Sequence, residues 1–223
     1  KRGTYTGTGA ALSITGVGFQ PEVVIIKRST NQLAVVSTST MGADATKPMV
    51  GATALVTGRI TSLDADGFTL GTNTQVNFNG GTYYWEAFNA SAGTMVAGTY
   101  TGDGNASQSI TGVGFQPEYI IVLPATAVRA VQRSVDMTLT HVFDNNNAGV
   151  TTGVTAFGAD GFTVGTTINA SATVYHYIAF NAVAGKTSTG TYTGDGLDNR
   201  SITGIGFQPE YVIAKANAAT AGA

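Results

Sequence analysis

Two histidines, four glutamates and no cysteine limit the chemistry this 223-residue chain can carry. The absence of cysteine excludes disulfides, thiolate metal sites and cysteine nucleophiles together. His141 and His176 do not form a His-x-x-x-His pair, and no Ser-His-Asp motif or phosphate-binding loop is present. Three of the glutamates, Glu22, Glu118 and Glu210, occupy the same tripeptide, Gln-Pro-Glu. A glycosidase needs two carboxylates in different environments. A carboxylate repeated identically suits a structural task instead, such as accepting backbone N–H groups where a strand begins. The chain is therefore expected to be non-enzymatic.

Aspartate-rich turns invite a calcium reading, because hard cations prefer clustered oxygen ligands. The candidates are Asp64-Ala65-Asp66-Gly67, Asp144 with Asn145–Asn147, and Asp195 with Asp198 and Asn199. None has EF-hand spacing, and Asp and Asn also cap turns through their own side chains. Asp195 and Asp198 stay as weak calcium candidates, and no other cofactor is expected. Aromatic chemistry offers one further option. Tyr5, Tyr100 and Tyr192 recur at one position near a turn, where exposed rings could stack on a sugar face. Core or interface packing is the competing reading. Sequons at Asn89, Asn105, Asn169 and Asn199 permit glycosylation without implying it.

These residues belong to a tandem repeat, the strongest signal in the chain. Residues 3–26 (GTYTGTGAALSITGVGFQPEVVII), 98–122 (GTYTGDGNASQSITGVGFQPEYIIV) and 190–214 (GTYTGDGLDNRSITGIGFQPEYVIA) are copies of one block. Two later blocks recur once each: LDADGFTLGT at 63–72 with FGADGFTVGT at 157–166, and TYYWEAFNA at 82–90 with VYHYIAFNA at 174–182. The expected organisation is a repeat at 1–97, a second at 98–189 and an incomplete third at 190–223, either truncated or strand-donating.

Each block has strand chemistry. Asp103-Gly104 and Asp195-Gly196 favour hairpin turns. Pro21, Pro117 and Pro209 stand just before apolar runs, where a missing N–H is tolerated. Val23–Ile26 and Tyr119–Val122 are apolar on both alternating faces, as in strands covered on both sides. In the closing block Tyr83, Trp85 and Ala87 alternate with Tyr84, Glu86 and Phe88, and the first set is assigned to the core. Six to eight short strands per copy without a convincing helix predict an all-β protein of tandem antiparallel sandwiches. A closed barrel is the alternative.

Composition narrows the function classes. Charged residues make up 11% of the chain, and 30 glycines accompany abundant threonine. No basic stripe marks a nucleic-acid surface. No apolar run reaches the roughly 18 residues needed to span a bilayer. Low charge, zero cysteine and high Thr/Gly/Asn fit an extracellular, cell-surface or virion protein of bacterial, archaeal or phage type.

The order GxYTGxG, GFQP, DGFT, YYW-A-F resembles the tandem modules of phage tail-fibre and large bacterial surface proteins. The strand order also resembles, more loosely, the H-type lectin sandwich. That second resemblance implies a jelly-roll-like or H-type six-stranded sandwich that assembles, often as trimers, and binds sugars. Its sugar-binding residues have no matching positions here. The leading expectation is a structural or adhesive module that forms a homo-oligomer or polymer through repeat 3, with Tyr192, Ile202, Ile205, Phe207, Tyr211 and Ile213 carrying strand addition to a neighbouring subunit. The alternative is a lectin-like module with glycan partners.

Overall fold

A computed structural model describes residues 1–144 and 148–216. Repeat 1 contains β1 (Arg2–Thr6), β2 (Leu12–Thr15), β3 (Val23–Arg28), β4 (Val35–Thr38), β5 (Lys47–Pro48), β6 (Ile60–Asp64), β7 (Gly67–Leu70), the short helix α1 (Thr74–Asn77) and β8 (Thr82–Phe88). Repeat 2 contains β9 (Met95–Thr101), β10 (Ser107–Thr111), β11 (Pro117–Pro124), β12 (Val131–Ser134), β13 (His141–Val142), β14 (Val154–Gly158), β15 (Gly161–Gly165) and β16 (Val174–Asn181). A single 3-10 turn, Thr166–Ile168, takes the place of α1.

The strands form two copies of one sandwich. In repeat 1 a five-stranded sheet, ordered β1-β8-β3-β4-β5, faces a three-stranded sheet, β2-β7-β6. In repeat 2 the same layers are β9-β16-β11-β12-β13 and β10-β15-β14. All pairings are antiparallel, but Asp103-Gly104 does not close the expected hairpin: β9 before it pairs with β16 and β10 after it pairs with β15, so the turn carries the chain from one sheet to the other. Each sheet keeps open edges, so the barrel alternative does not hold. The third repeat contributes no strand among its described residues.

Alternation decides which side chains enter each core. Val24 and Ile26 of β3 and Tyr83, Trp85 and Ala87 of β8 pack with Phe68 and Leu70 of β7. Ile120 and Val122 of β11 and Tyr175, Tyr177 and Ala179 of β16 pack with Phe162 and Val164 in the same way. The closing-block set assigned to the core from sequence is therefore the buried one.

The opposite faces of the two large sheets form a third core. Val23, Ile25 and Val36 of repeat 1 meet Ile121, Leu123 and Ile178 of repeat 2, all 5% exposed or less, with Met41, Met49 and Met95 filling between them. This explains the runs that are apolar on both faces. One face fills the repeat's own sandwich, and the other fills the joint between repeats.

Candidate functional site

The residues that recur between repeats hold each module together. Asp66, in the turn before β7, accepts Gly16 N at 3.0 Å and Gly18 N at 2.6 Å. Asp160 accepts Gly112 N and Gly114 N at the same distances. The bonds from Gly18 and then Gly16, or from Gly114 and then Gly112, hold each carboxyl below the usual range. Each aspartate thus ties the Gly-x-Gly-Phe loop to the turn that leads into the neighbouring strand of the same three-stranded sheet.

Buried amides organise the neighbouring loop. Asn77 accepts Thr8 N at 2.8 Å and donates to Gly71 O at 2.8 Å. Asn169 accepts Asp103 N at 3.0 Å and donates to Asn105 O at 2.9 Å. Asn169 is 1% exposed, which closes that sequon to glycosylation in the folded state.

The tyrosines proposed as a sugar platform occupy two different settings. Tyr5 stacks on Tyr83 at 4.9 Å and donates to Val76 O at 2.5 Å. Tyr100 stacks on Tyr175, also at 4.9 Å, and donates to Ile168 O at 2.7 Å. Burial first, then the neighbouring tyrosine, pushes both phenols far above their ordinary value. With one face against a ring and the hydroxyl anchored inward, Tyr5 and Tyr100 are packing residues. Tyr192 is 57% exposed.

The proposed strand-addition residues lie in chain that forms no strand among the described residues. Tyr192 and Ile202 are exposed, Ile205 and Phe207 are half-buried, and Ile213 packs against the third core. The Tyr211 ring stands 6.1 Å from Phe88, and burial, then the charge of Glu86, pushes its phenol up to about 12. Residues 217–223 of repeat 3 lie outside the described residues.

The charged candidates have local partners. Asp195 accepts Leu197 N at 3.1 Å and pairs with Arg200 at 2.8 Å. Asp198 accepts Asn199 N at 2.9 Å. Asp144 pairs with Arg129 at 2.6 Å, and Asn145–Asn147 lie outside the described residues. Among the described residues no three His, Asp or Glu side chains converge as a metal group. Two of the three Gln-Pro-Glu carboxylates bind hydroxyls rather than the expected backbone N–H groups: Glu22 takes Ser39 Oγ, and Glu118 takes Thr189 Oγ1 at 2.8 Å.

Sequence reasoning missed the polar groups of the joint between repeats. Lys47 is fully buried, and its ammonium donates to Thr53 O at 2.5 Å within repeat 1 and to Thr126 O and Val128 O of repeat 2 at 2.9 and 2.8 Å. Burial pushes its pKa down to about 8. Thr40 meets His176 Nδ1 at 3.0 Å, and burial, then the nearby Lys47 charge, lowers that imidazole. Gly51 N donates to Asp144 Oδ1 at 2.8 Å, and Leu55 N donates to Ala125 O at 3.0 Å. Phe88 and its counterpart Phe180 meet edge to face at 5.8 Å. The only sequence signal for this joint was the pair of runs apolar on both faces.

A family model described as "Domain of unknown function (DUF7483)" matches residues 1–99, a span that covers repeat 1 and enters β9. No curated protein and no solved structure matches the chain. Among the described residues no helix is long and apolar enough to cross a membrane.

Proposed function

We propose that this chain is a non-enzymatic structural or adhesive repeat protein of an extracellular, cell or virion surface, whose modules pack against one another to build a fibre, sheath or appendage. One observation carries the reading. The two modules bury the apolar outer faces of their broad sheets against each other, so the repeat is shaped to bind a copy of itself. The recurring polar residues support it, because Asp66, Asp160, Asn77 and Asn169 are engaged in loop construction. Apolar groups left open on repeat 3, Tyr192, Leu197, Ile202 and Val212, supply the surface for joining further chains by strand addition.

Sedimentation of the purified chain over a wide concentration range, with negative-stain imaging, tests the proposal. The expected result is a concentration-dependent series of larger particles, suppressed by Ile202→Asp with Val212→Asp. A chain that stays monomeric at every concentration overturns it. Retention on a glycan array that Tyr192→Ala abolishes would replace it with carbohydrate recognition.

A further inference from the structure

The two linkers between repeats have one geometry. After repeat 1, Thr94 N and Met95 N both donate to Ser91 O, Ser91 bridges Met95, and Gly93 has φ 74°. After repeat 2, Lys186 N and Thr187 N both donate to Val183 O, Val183 bridges Thr187, and Gly185 also has φ 74°. The step from the first repeat to the second is therefore locally the step from the second to the third.

Contacts across the steps are also of one kind. By block position, Glu22, Glu118 and Glu210 correspond, as do Arg2, Ala97 and Thr189, and Tyr84 and His176. From repeat 1 to 2, the turn after β4 reaches the β9–β16 face, where Thr40 meets His176 and Met41 shares a core with Ala97. From repeat 2 to the residues leading into repeat 3, the Thr189 hydroxyl lies between the Glu118 and Asp136 carboxylates, within hydrogen-bond reach of both at 2.8 and 2.5 Å. From repeat 3 back to 1, the Glu210 carbonyl accepts Arg2 Nη1 at 3.3 Å, while Tyr211 lies against Phe88. One flank of each repeat meets the opposite flank of the next, and the third returns to the first. Head-to-tail contacts whose rotation closes make a ring. The equivalent Phe88 and Phe180 meet where its axis would run.

Repeat 3 already has the local shape of a module. Gly196 has φ 73°, against 75° and 78° at Gly9 and Gly104. Gly204 and Gly206 have φ 86° and 85°, against 84° and 85° at Gly112 and Gly114. It forms no strand among its described residues, and the surface it should help cover stands open. Tyr84 of repeat 1 is 53% exposed and Glu86 half-buried, whereas the corresponding His176 and Ile178 are 5% and 0% exposed beneath repeat 1.

We propose that residues 190–216 sit in the third place of a three-module ring, and that the surface of Arg2, Tyr84, Glu86 and Tyr211 is the seat for a third module body, a polypeptide of the chemistry of residues 123–182. The seat continues the joint between repeats 1 and 2, which identifies its occupant. The turn of that body corresponding to Thr40 and Asp136 covers Tyr84. This inference deepens the assembly reading by naming the partner of the joining surface.

The test uses dilute monomer, so its outcome does not depend on polymer formation by the native chain. Residues 123–182 are placed after Ala214 in an otherwise unchanged chain, and the cysteine-free sequence allows a single thiol to be introduced by Tyr84→Cys. That thiol is expected to label at least about tenfold more slowly in the extended chain than in the native one, as local burial requires. The amides of residues 201–214 are expected to gain at least about a hundredfold protection from exchange. A folded extension that leaves both rates unchanged overturns the proposal. The native chain supplies a second arm: Tyr211→Ser is expected to speed tryptic cleavage after Lys215 by about tenfold while repeats 1 and 2 stay intact. Equal cleavage rates would show that residues 207–215 are not held in the third place.

Discussion

The carboxylates of Asp66 and Asp160 act as long-range clamps, each closing a loop to a strand nearly fifty residues away. Their folded-state pKa values lie below the ordinary carboxyl value of about 3.9. The stability they contribute is complete above that ordinary value and is lost as pH falls through the lower folded values. The double variant Asp66→Ala, Asp160→Ala should therefore melt below wild type at pH 7, and the gap should narrow as the pH drops below about 4. Thermal midpoints measured against pH check this, and a gap independent of pH would show that ionisation is not what holds the loops. The next glycines are equally constrained. At Gly67 and Gly161, with φ 153° and 146°, an added Cβ would stand 1.9 Å from Ile14 O and 2.0 Å from Ile110 O. Gly161→Ala should cost at least about 2 kcal/mol, measurable by denaturant unfolding. Sequence reading placed Asp-Gly correctly as a turn before a strand, because that preference is local. It could not place the acceptor opposite Gly16 and Gly18, since that pairing depends on β2 lying beside β7. The tyrosines show the same limit from the other side: recurrence marked Tyr5 and Tyr100 as special, but a recurring ring can serve packing as readily as binding.

At the scale of elements, the strands were legible wherever period-two alternation or an apolar run carried the signal, as in β3, β8, β11 and β16. The short β5 and β13 were not, because two residues give no period. Yet β5 places Lys47 in the joint between repeats. Removing an ammonium from water costs several kcal/mol unless hydrogen bonds replace its hydration, and here three carbonyls do so in part. The folded value of about 8 lies below the ordinary lysine value of about 10.4. Between those values the unfolded chain binds a proton that the folded chain does not, so stability rises with pH across that window. Above about pH 10 the raised tyrosines reverse the slope, because the unfolded chain then loses protons that Tyr5 and Tyr100 retain. Chemical-denaturation midpoints should therefore climb from pH 8 to about 9.5 in wild type. In Lys47→Met the climb should disappear, and an unchanged slope would assign it to another group.

For the whole molecule, the third core decides whether the repeats behave as one body or two. Its residues, Ile25 and Val36 on one side with Ile121 and Ile178 on the other, are as buried as those inside either sandwich. That repeats 1–97 and 98–189 are similar was plain in the sequence; that they share a core was not, because an apolar outer face states only that something covers it. Shared burial of this kind makes each repeat part of the other's stability. Ile121 is 1% exposed, and Ile121→Ala should cost about 3 kcal/mol through lost contacts and the cavity left behind. If the repeats unfold together, that loss appears at both: amides of β3 and β4 in repeat 1 exchange faster by the same factor as those of β11, and the melt stays a single transition at lower temperature. Faster exchange confined to residues 95–181, with a second transition separating from the first, would instead show two modules that touch without cooperating.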